Sequence, residues 1–494
     1  MKKKQVLINA TMSVCQIVLI GIAIFILYKF LLVTIGAKQL GIWSIVLATS
    51  SVSQIANFGL SGSVVKFVAK YVALRENQKA SNVIQTAVIS LGSFVGILLL
   101  ITYPAFTKIL SFIVPSDSLP LALDILPYAL FSIWLMMIVS VFESALDGFQ
   151  RIDLRSIILT CSSILNLIFC VILAPSYGLM GVAYARVAQM SVTLITSWIV
   201  LKRYIKLPIL PCKWNKELFR EILSYGLKYQ TISIATMFYD PVTKGLLSKF
   251  GSLSMVGYYE MASRMVQQFR ALLVSANQVL FPAIADLKAR DPGKIASVYR
   301  ISYQLLFYLS LPLYSLIIVS LPVISALWIG HYEKAFVDFG ILLSIGWFFN
   351  TLSAPSYFVN LGTGELRWNV ISHVAIAVLN AVLGLILGVY FGGIGVVMAW
   401  VVSLALGSSL VYLSYHIKHK VPLIDLLPRD SRILITVSLI GAVFISAIQA
   451  KTGYMITIPA IFTVTILIIL WFHPMRIRLV GWVSDELLSR RTET

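Results

Sequence analysis

Tyr177–Val187 reads YGLMGVAYARV, and Phe391–Val401, beginning 214 residues later, reads FGGIGVVMAWV. The two copies agree at Gly178/Gly392, Gly181/Gly395, Val182/Val396, Ala185/Ala399 and Val187/Val401. Each copy sits where one long apolar stretch ends and the next begins. A motif that returns in the same place relative to the hydrophobic runs marks an internal duplication. The chain is therefore read as two related halves.

Hydropathy sets the class of the fold. Of the 494 residues, 59% are hydrophobic and only 12% are charged. A water-soluble core cannot bury that much apolar surface and still cover itself with so few charges. The apolar runs are roughly 18–25 residues long, enough for a helix to cross a ~30 Å hydrocarbon layer. They are continuous rather than alternating, which indicates helices and not barrel strands. The reading is an all-α polytopic membrane protein with about fourteen spans: 11–34, 40–62, 81–104, 124–146, 154–174, 178–201, 225–247, 255–282, 300–328, 337–359, 368–391, 393–416, 432–450 and 454–473. Met1–Lys4 is basic and no small-residue cleavage site follows, so the first run is read as a retained helix.

A formal net charge of +19 would suggest nucleic acid in a soluble chain. Here the cations follow topology instead. With a cytoplasmic N-terminus, 29 of the 39 Lys and Arg fall on cytoplasmic connections, and only Lys38, Lys108, Lys249, Lys334 and Lys451 fall opposite. That bias fixes orientation and puts both termini in the cytoplasm. No nucleic-acid partner is expected. Cys15, Cys161, Cys170 and Cys212 lack metal-ligand spacing, and the five histidines are scattered, so neither a metal nor a cofactor is expected. No Walker lysine motif or catalytic constellation is present, and the chain is not read as an enzyme.

The connection from Leu201 to Ser224 contains KLPILPCKWNKELFREILSYG and divides the halves. Its second part, Trp214–Leu223, is amphipathic and suited to the membrane surface. The expected organisation is an N-terminal six-helix bundle (1–203), a cytoplasmic linker with an interfacial helix (204–224) and a C-terminal six-helix bundle (225–418). An extra transmembrane pair (419–474) and a cytoplasmic amphipathic tail (475–494) follow.

Further matches extend the repeat. Gly36-Ala-Lys-Gln-Leu-Gly-Ile-Trp43 opens span 2, and Gly251-Ser-Leu-Ser-Met-Val-Gly-Tyr-Tyr259 opens span 8. LDGFQR (Leu146–Arg151) closes span 4, and LGTGELR (Leu361–Arg367) closes span 10. Three correspondences in the same order, at offsets of 214–216, describe two parallel six-helix repeats with spans 13 and 14 left over.

The Gly-x-Trp start of span 2, NFGLSGSVVKFVAKY (Asn57–Tyr71), ALDGFQR, the GxxGxAxA start of span 6 and MVGYYEMASR in span 8 carry a family resemblance. They resemble the polysaccharide transporter family of the multidrug/oligosaccharidyl-lipid/polysaccharide exporter superfamily. The resemblance covers nearly the whole chain, but its motifs are structural glycines and aromatics. It implies two six-helix bundles around a central cavity that move lipid-linked oligosaccharide by alternating access. It also implies that spans 13 and 14 form a groove for a lipid tail, as in the related peptidoglycan-precursor flippases.

Ionisable groups inside spans are costly and mark a cavity or an ion pair. The cations are Lys29, Arg186, Lys244, Arg264 and Arg270, and the anions are Glu143, Asp147, Asp240 and Glu260. Guanidinium groups suit a lipid pyrophosphate, because they make forked, charge-assisted hydrogen bonds to phosphate oxygens. Arg264 and Arg270, both in span 8, are expected to share a helix side and contact phosphate at two depths. Arg186 and Lys29 would line the opposite wall. Asn57, Tyr259 and Asn277 suit a sugar. Asp240, next to a helix-breaking Pro241, and Glu260 are candidates for coupling to a cation or proton, and Glu143 and Asp147 for a gate. Each has a plainer reading: Glu260/Arg264 and Asp240/Lys244 are i,i+4 pairs that neutralise each other. Lys29 and Lys244 can snorkel to an interface, and Glu143 and Asp147 can cap the turn or pair with Arg151.

Two other functions stand beside a lipid-linked oligosaccharide flippase of the cell membrane. One is a cation-coupled multidrug exporter of the same fold, which would present buried carboxylates to cationic drugs. The other is a non-transporting scaffold of a polysaccharide synthase. The expected partners are the sugar-lipid substrate, membrane lipids, glycosyltransferases and a polysaccharide polymerase. The topology is directly testable. Cysteines placed at Lys108 and Lys334 should react with an impermeant maleimide on intact cells, whereas cysteines at Lys79 and Lys216 should react only after permeabilisation.

Overall fold

A backbone that crosses hydrocarbon must satisfy its own N–H and C=O groups, and this chain does so with helices. The computed structural model describes residues 3–52, 59–205, 208, 213–227, 230–277, 284, 287–288, 290–452 and 457–476. Its helices are α1 (Lys3–Ser51), α2 (Leu60–Ala73), α3 (Asn77–Ile113), α4 (Leu119–Gly148), α5 (Ile152–Lys202), α6 (Lys216–Leu227), α7 (Gln230–Met237) and α8 (Tyr239–Phe250). They continue with α9 (Leu253–Asn277), α10 (Ile295–Trp328), α11 (Lys334–Leu352), α12 (Ala354–Thr363), α13 (Arg367–Lys418), α14 (Arg432–Thr452) and α15 (Thr457–Phe472). Among the described residues there is no strand, and seven runs are long and apolar enough to cross a membrane.

The three longest runs contain a sharp reversal at one glycine. Gly178 in α5 has φ 55° and ψ −133°, and Gly392 in α13 has φ 62° and ψ −147°, a region closed to residues with a Cβ. Beyond each bend the chain doubles back. A Cβ on Gly181 would lie 2.3 Å from Leu173 O, and one on Gly395 2.0 Å from Leu387 O. Along a straight helix, eight residues would separate those sites by about 12 Å. The boundaries read as gaps between spans are thus single residues joining antiparallel helical hairpins. In α1 the bend is at Gly36, and Tyr28 and Ser44, eight residues to either side, bond the same carboxylate.

The repeat is also written in the turns. After α4, Gln150 N bonds Asp147 O and Arg151 N bonds Leu146 O; after α12, Gly364 N bonds Leu361 O and Glu365 N bonds Asn360 O. All four bonds superpose at an offset of 214, with positive φ at Gln150 (60°) and Gly364 (79°). This is the 6→1, 5→2 pattern of a Schellman cap.

The chain packs as two units, Met1–Arg264 with Ala381–Val396, and Met265–Asn380 with Val397–Thr494. In the first unit α1 crosses α9 at backbone contact. A Cβ on Gly41 would lie 1.8 Å from Leu253 O, and one on Gly257 would lie 2.3 Å from Ala37 O. Both Ala37/Leu253 and Gly41/Gly257 are pairs at an offset of 216, so the two repeats meet reciprocally there. The linker helix α6 docks on α2 and α3. Asn215 Oδ1 caps it by accepting from the N–H groups of Glu217 (2.9 Å) and Leu218 (3.0 Å), and Trp214 Nε1 donates to Ser90 Oγ at 2.9 Å. Pro241 has no N–H for the helical bond, and the segment breaks at Phe238 into α7 and α8. The tail beyond residue 476 lies outside the described residues.

In the second unit the extra pair, α14 and α15, packs on α10. Tyr303 donates to Leu426 O (3.2 Å) and Tyr308 to Leu470 O (2.9 Å), while Tyr299 Oη lies 2.9 Å from His416 Nε2. These phenols bury their rings and still satisfy their hydroxyls.

The crossing makes opposite predictions for two glycines. Gly41→Ala should destabilise by about 1–3 kcal/mol through overpacking. Gly62→Ala in α2, whose Cβ would meet nothing within 4 Å, should be neutral or stabilising. Melting temperatures in detergent test both.

Candidate functional site

The first unit holds a cavity of about 190 Å³ among α1, α5 and α9. Arg186 and Arg264 line it, with Asn166, Gln189, Ser163 and Tyr28, and among the described residues no carboxylate is part of its wall. Arg186 is positioned by the Gly178 hairpin. Its Nη1 donates to Gln189 Oε1 (2.7 Å), and Gln189 Nε2 donates to Ser162 Oγ (3.0 Å). Ser162 Oγ lies 2.6 Å from Thr193 Oγ1, so the two arms of α5 are tied beneath the guanidinium. Among the described residues no carboxylate pairs with Arg186.

Arg264 is held differently. Its Nε donates to Glu260 Oε1 at 2.7 Å, and its side chain keeps 44% exposure. Glu260, by contrast, is only 6% exposed. Its Oε1 also accepts from Tyr28 Oη (2.9 Å), and its Oε2 accepts from Ser44 Oγ (2.9 Å) and Lys244 Nζ (2.7 Å). Four donors fill the roughly four acceptor directions of a carboxylate. Lys244, 4% exposed, also reaches Asp240 at 3.3 Å, and that carboxylate stays half-exposed.

These contacts revise several expectations. Glu260 was a candidate to bind a coupling cation or proton, but its acceptor positions are already taken; Asp240 keeps the more open carboxylate. Arg264 and Arg270 do not share a helix side, because six residues at 100° each leave them about 120° apart. Arg270 lines a separate cavity of about 200 Å³ in the second unit, where its Nε donates to Asn350 Oδ1 at 3.0 Å. Its guanidinium lies 4.6 Å from the Trp347 ring centroid, a cation–π contact. Lys29 is exposed and is not part of the first cavity's wall, since the neighbouring Tyr28 takes the inward position. Tyr259 is 1% exposed and packed inside, away from either cavity. Asn57 lies outside the described residues, as does the side chain of Asn277. Glu143 and Asp147 lie near the turn after α4, where Asp147 pairs with Arg155 (2.8 Å); Arg151 turns instead to Asp153 (2.8 Å).

Tyr28, Ser44 and Gln189 are among the site residues that sequence reasoning missed, as are Ser163 and Asn166. Ser44 had a signal available, because it is the repeat equivalent of Glu260 at the same 216 offset as Gly41 and Gly257. A larger recess of about 800 Å³ between α3 and α4, around Gly92, Gly96 and Trp134, is almost wholly apolar and offers a charged headgroup nothing.

A profile of the polysaccharide biosynthesis protein family matches residues 5–288, more than half of the chain. The chain belongs to this family. No curated protein matches it. Solved structures show what fold this family member has. It resembles the lipid II flippase MurJ in an inward closed conformation, with TM-score 0.71, 13% identity, and 94% of this chain and 98% of that one covered. An inward-facing multidrug resistance MATE family transporter of the MOP superfamily matches with TM-score 0.67 and 17% identity, covering 82% and 94%. A MOP superfamily transporter from Pyrococcus furiosus, described by the reverse polarity of its binding pocket, matches with TM-score 0.56 and 17% identity, covering 82% and 95%. This member of the polysaccharide biosynthesis family thus has the fold of MOP superfamily transporters, and is a multi-pass membrane protein.

The Arg186 support is open to a direct test. Gln189→Leu takes from Arg186 its amide acceptor and should cost about 1–3 kcal/mol, read as a lower melting temperature. Val187→Ile, on the same helix, is the control.

Proposed function

We propose that this protein translocates lipid-linked oligosaccharide, a sugar chain on polyprenyl pyrophosphate, across the cell membrane for surface polysaccharide synthesis. Alternating access of the two repeats is the mechanism that the fold supports. The observation that carries the reading is the first unit's cavity, lined by Arg186 and Arg264 with no carboxylate in its wall among the described residues. Guanidinium forks suit phosphate oxygens, and amides and hydroxyls beside them suit a sugar. Membership of the polysaccharide biosynthesis family and a fold shared with a protein named as a lipid II flippase support the same substrate class. In the other unit, Arg270 and Asn350 line a separate polar cavity. In this reading the repeats are residues 1–203 and 225–418, and the pair at 419–474 accommodates the lipid tail. Fourteen crossings place both termini in the cytoplasm, where glycosyltransferases and a polymerase would meet the chain.

The likeness to multidrug MATE transporters favours one competitor, a cation-coupled drug exporter. Asp240, half-exposed beside Lys244, is the carboxylate it would use.

Reconstituted vesicles separate the two. The parent protein should flip a fluorescent polyprenyl-pyrophosphate glycan, and the Arg186→Ala/Arg264→Ala double variant should be slower by about tenfold or more, the loss of one charged hydrogen bond being worth that much. Proton- or sodium-driven efflux of a cationic dye, with no flipping, would transfer the function to the exporter reading.

A further inference from the structure

Two residues of the charged cluster, Glu260 and Lys244, stand behind the cavity and are not part of its wall. Their contacts nevertheless decide how Arg264 is presented. Glu260 takes the guanidinium at Nε, while the Arg264 side chain still forms part of the cavity wall. The carboxylate is itself fixed from both repeats: Tyr28 and Ser44 come from the arms of α1, Lys244 from α8, and Glu260 from α9.

The place of this knot matters. Gly41/Gly257 and Ser44/Glu260 are repeat-equivalent pairs in contact across the α1–α9 crossing, and Ala37 and Leu253, a third such pair, each set a carbonyl against the other helix's glycine. The glycines allow the backbones to touch, and one turn further on that closeness puts the Ser44 hydroxyl on the carboxylate of its own counterpart. Lys244 supplies the second positive charge. Asp240 and Glu260 are thereby outnumbered by Lys244, Arg264 and Arg186, and the carboxylate does not cancel the cavity's charge.

We infer that Glu260 is a positioning residue: anchored by Ser44 at the repeat crossing, it fixes Arg264 to receive a phosphate-type anion in the cavity. This deepens the flippase reading and rests on it. It also replaces ion coupling as the role of Glu260.

The sign of one substitution tests the inference. If Glu260 acted only through its charge, Glu260→Gln would add a net positive charge beside the cavity and tighten anion binding. If it positions Arg264, the same variant loosens the guanidinium and weakens binding. Inorganic pyrophosphate, titrated by calorimetry into the full chain in detergent, is the probe. Glu260→Gln should bind it about tenfold more weakly than the parent. Ser44→Ala changes no charge and touches no cavity wall, and should bind about threefold more weakly; it serves alone if Glu260→Gln does not fold. In an Arg264→Ala background neither change should weaken binding further, which a general loosening of the fold would not reproduce. Equal or tighter binding by Glu260→Gln, or by Ser44→Ala where that variant stands alone, overturns the inference while leaving the flippase reading in place. A parent protein that does not bind pyrophosphate overturns the anion reading of the cavity and the inference with it.

Discussion

Where α1 crosses α9, two helices come close enough for a carbonyl of each to lie against a glycine of the other. In lipid there is little hydrophobic drive to hold helices together, so small residues that permit close van der Waals contact do that work. At this crossing the same closeness brings polar groups within bonding distance one turn away. A side chain at Gly41 or Gly257 would push the helices apart and take Ser44 off Glu260. The charged cluster, the pose of Arg264 and the wall of the first cavity all follow from that spacing.

Gathering five ionisable groups around one span, with Glu260 and Lys244 buried, is expensive, and half-satisfied networks are worse than none. The cluster meets this with donors rather than with pairwise neutralisation. Glu260 holds two cations and two hydroxyls, Lys244 lies between two carboxylates, and Arg186 rests on an amide. The i,i+4 pairs seen in the sequence are present, but as parts of a larger network. Arg186 is left with a neutral partner, which keeps one positive charge available to the cavity.

Much of the fold was legible because membrane helices are written in long, low-complexity strokes. The Gly178/Gly392 match anticipated two hairpins with nearly the same backbone angles, and the α4 and α12 endings anticipated equivalent turns. The amphipathic stretch after Trp214 is a helix docked on α2 and α3. The site was less legible, because its partners are set by which helices touch. Tyr28 and Ser44 are unremarkable in sequence and meet Glu260 only because α1 reverses at Gly36. Lys29 and Tyr28 are neighbours, and only the rotation of the helix decides which of them lines the cavity. Arg264 and Arg270 looked like one site because they share a helix, and the azimuth between them separates them.

The turns after α4 and α12 carry the same two hydrogen bonds, yet one holds Gly364 in its left-handed position and the other holds Gln150. A residue with a Cβ pays about 1 kcal/mol or more to stay there. The first copy carries that strain at Gln150. The same pair of bonds, with a Cβ-bearing residue at positive φ, also closes α2 at Arg75 and α13 at Lys420. Helices in this protein thus end sharply even where no glycine is available, and the hydrogen bonds that close each end hold the strained residue in place.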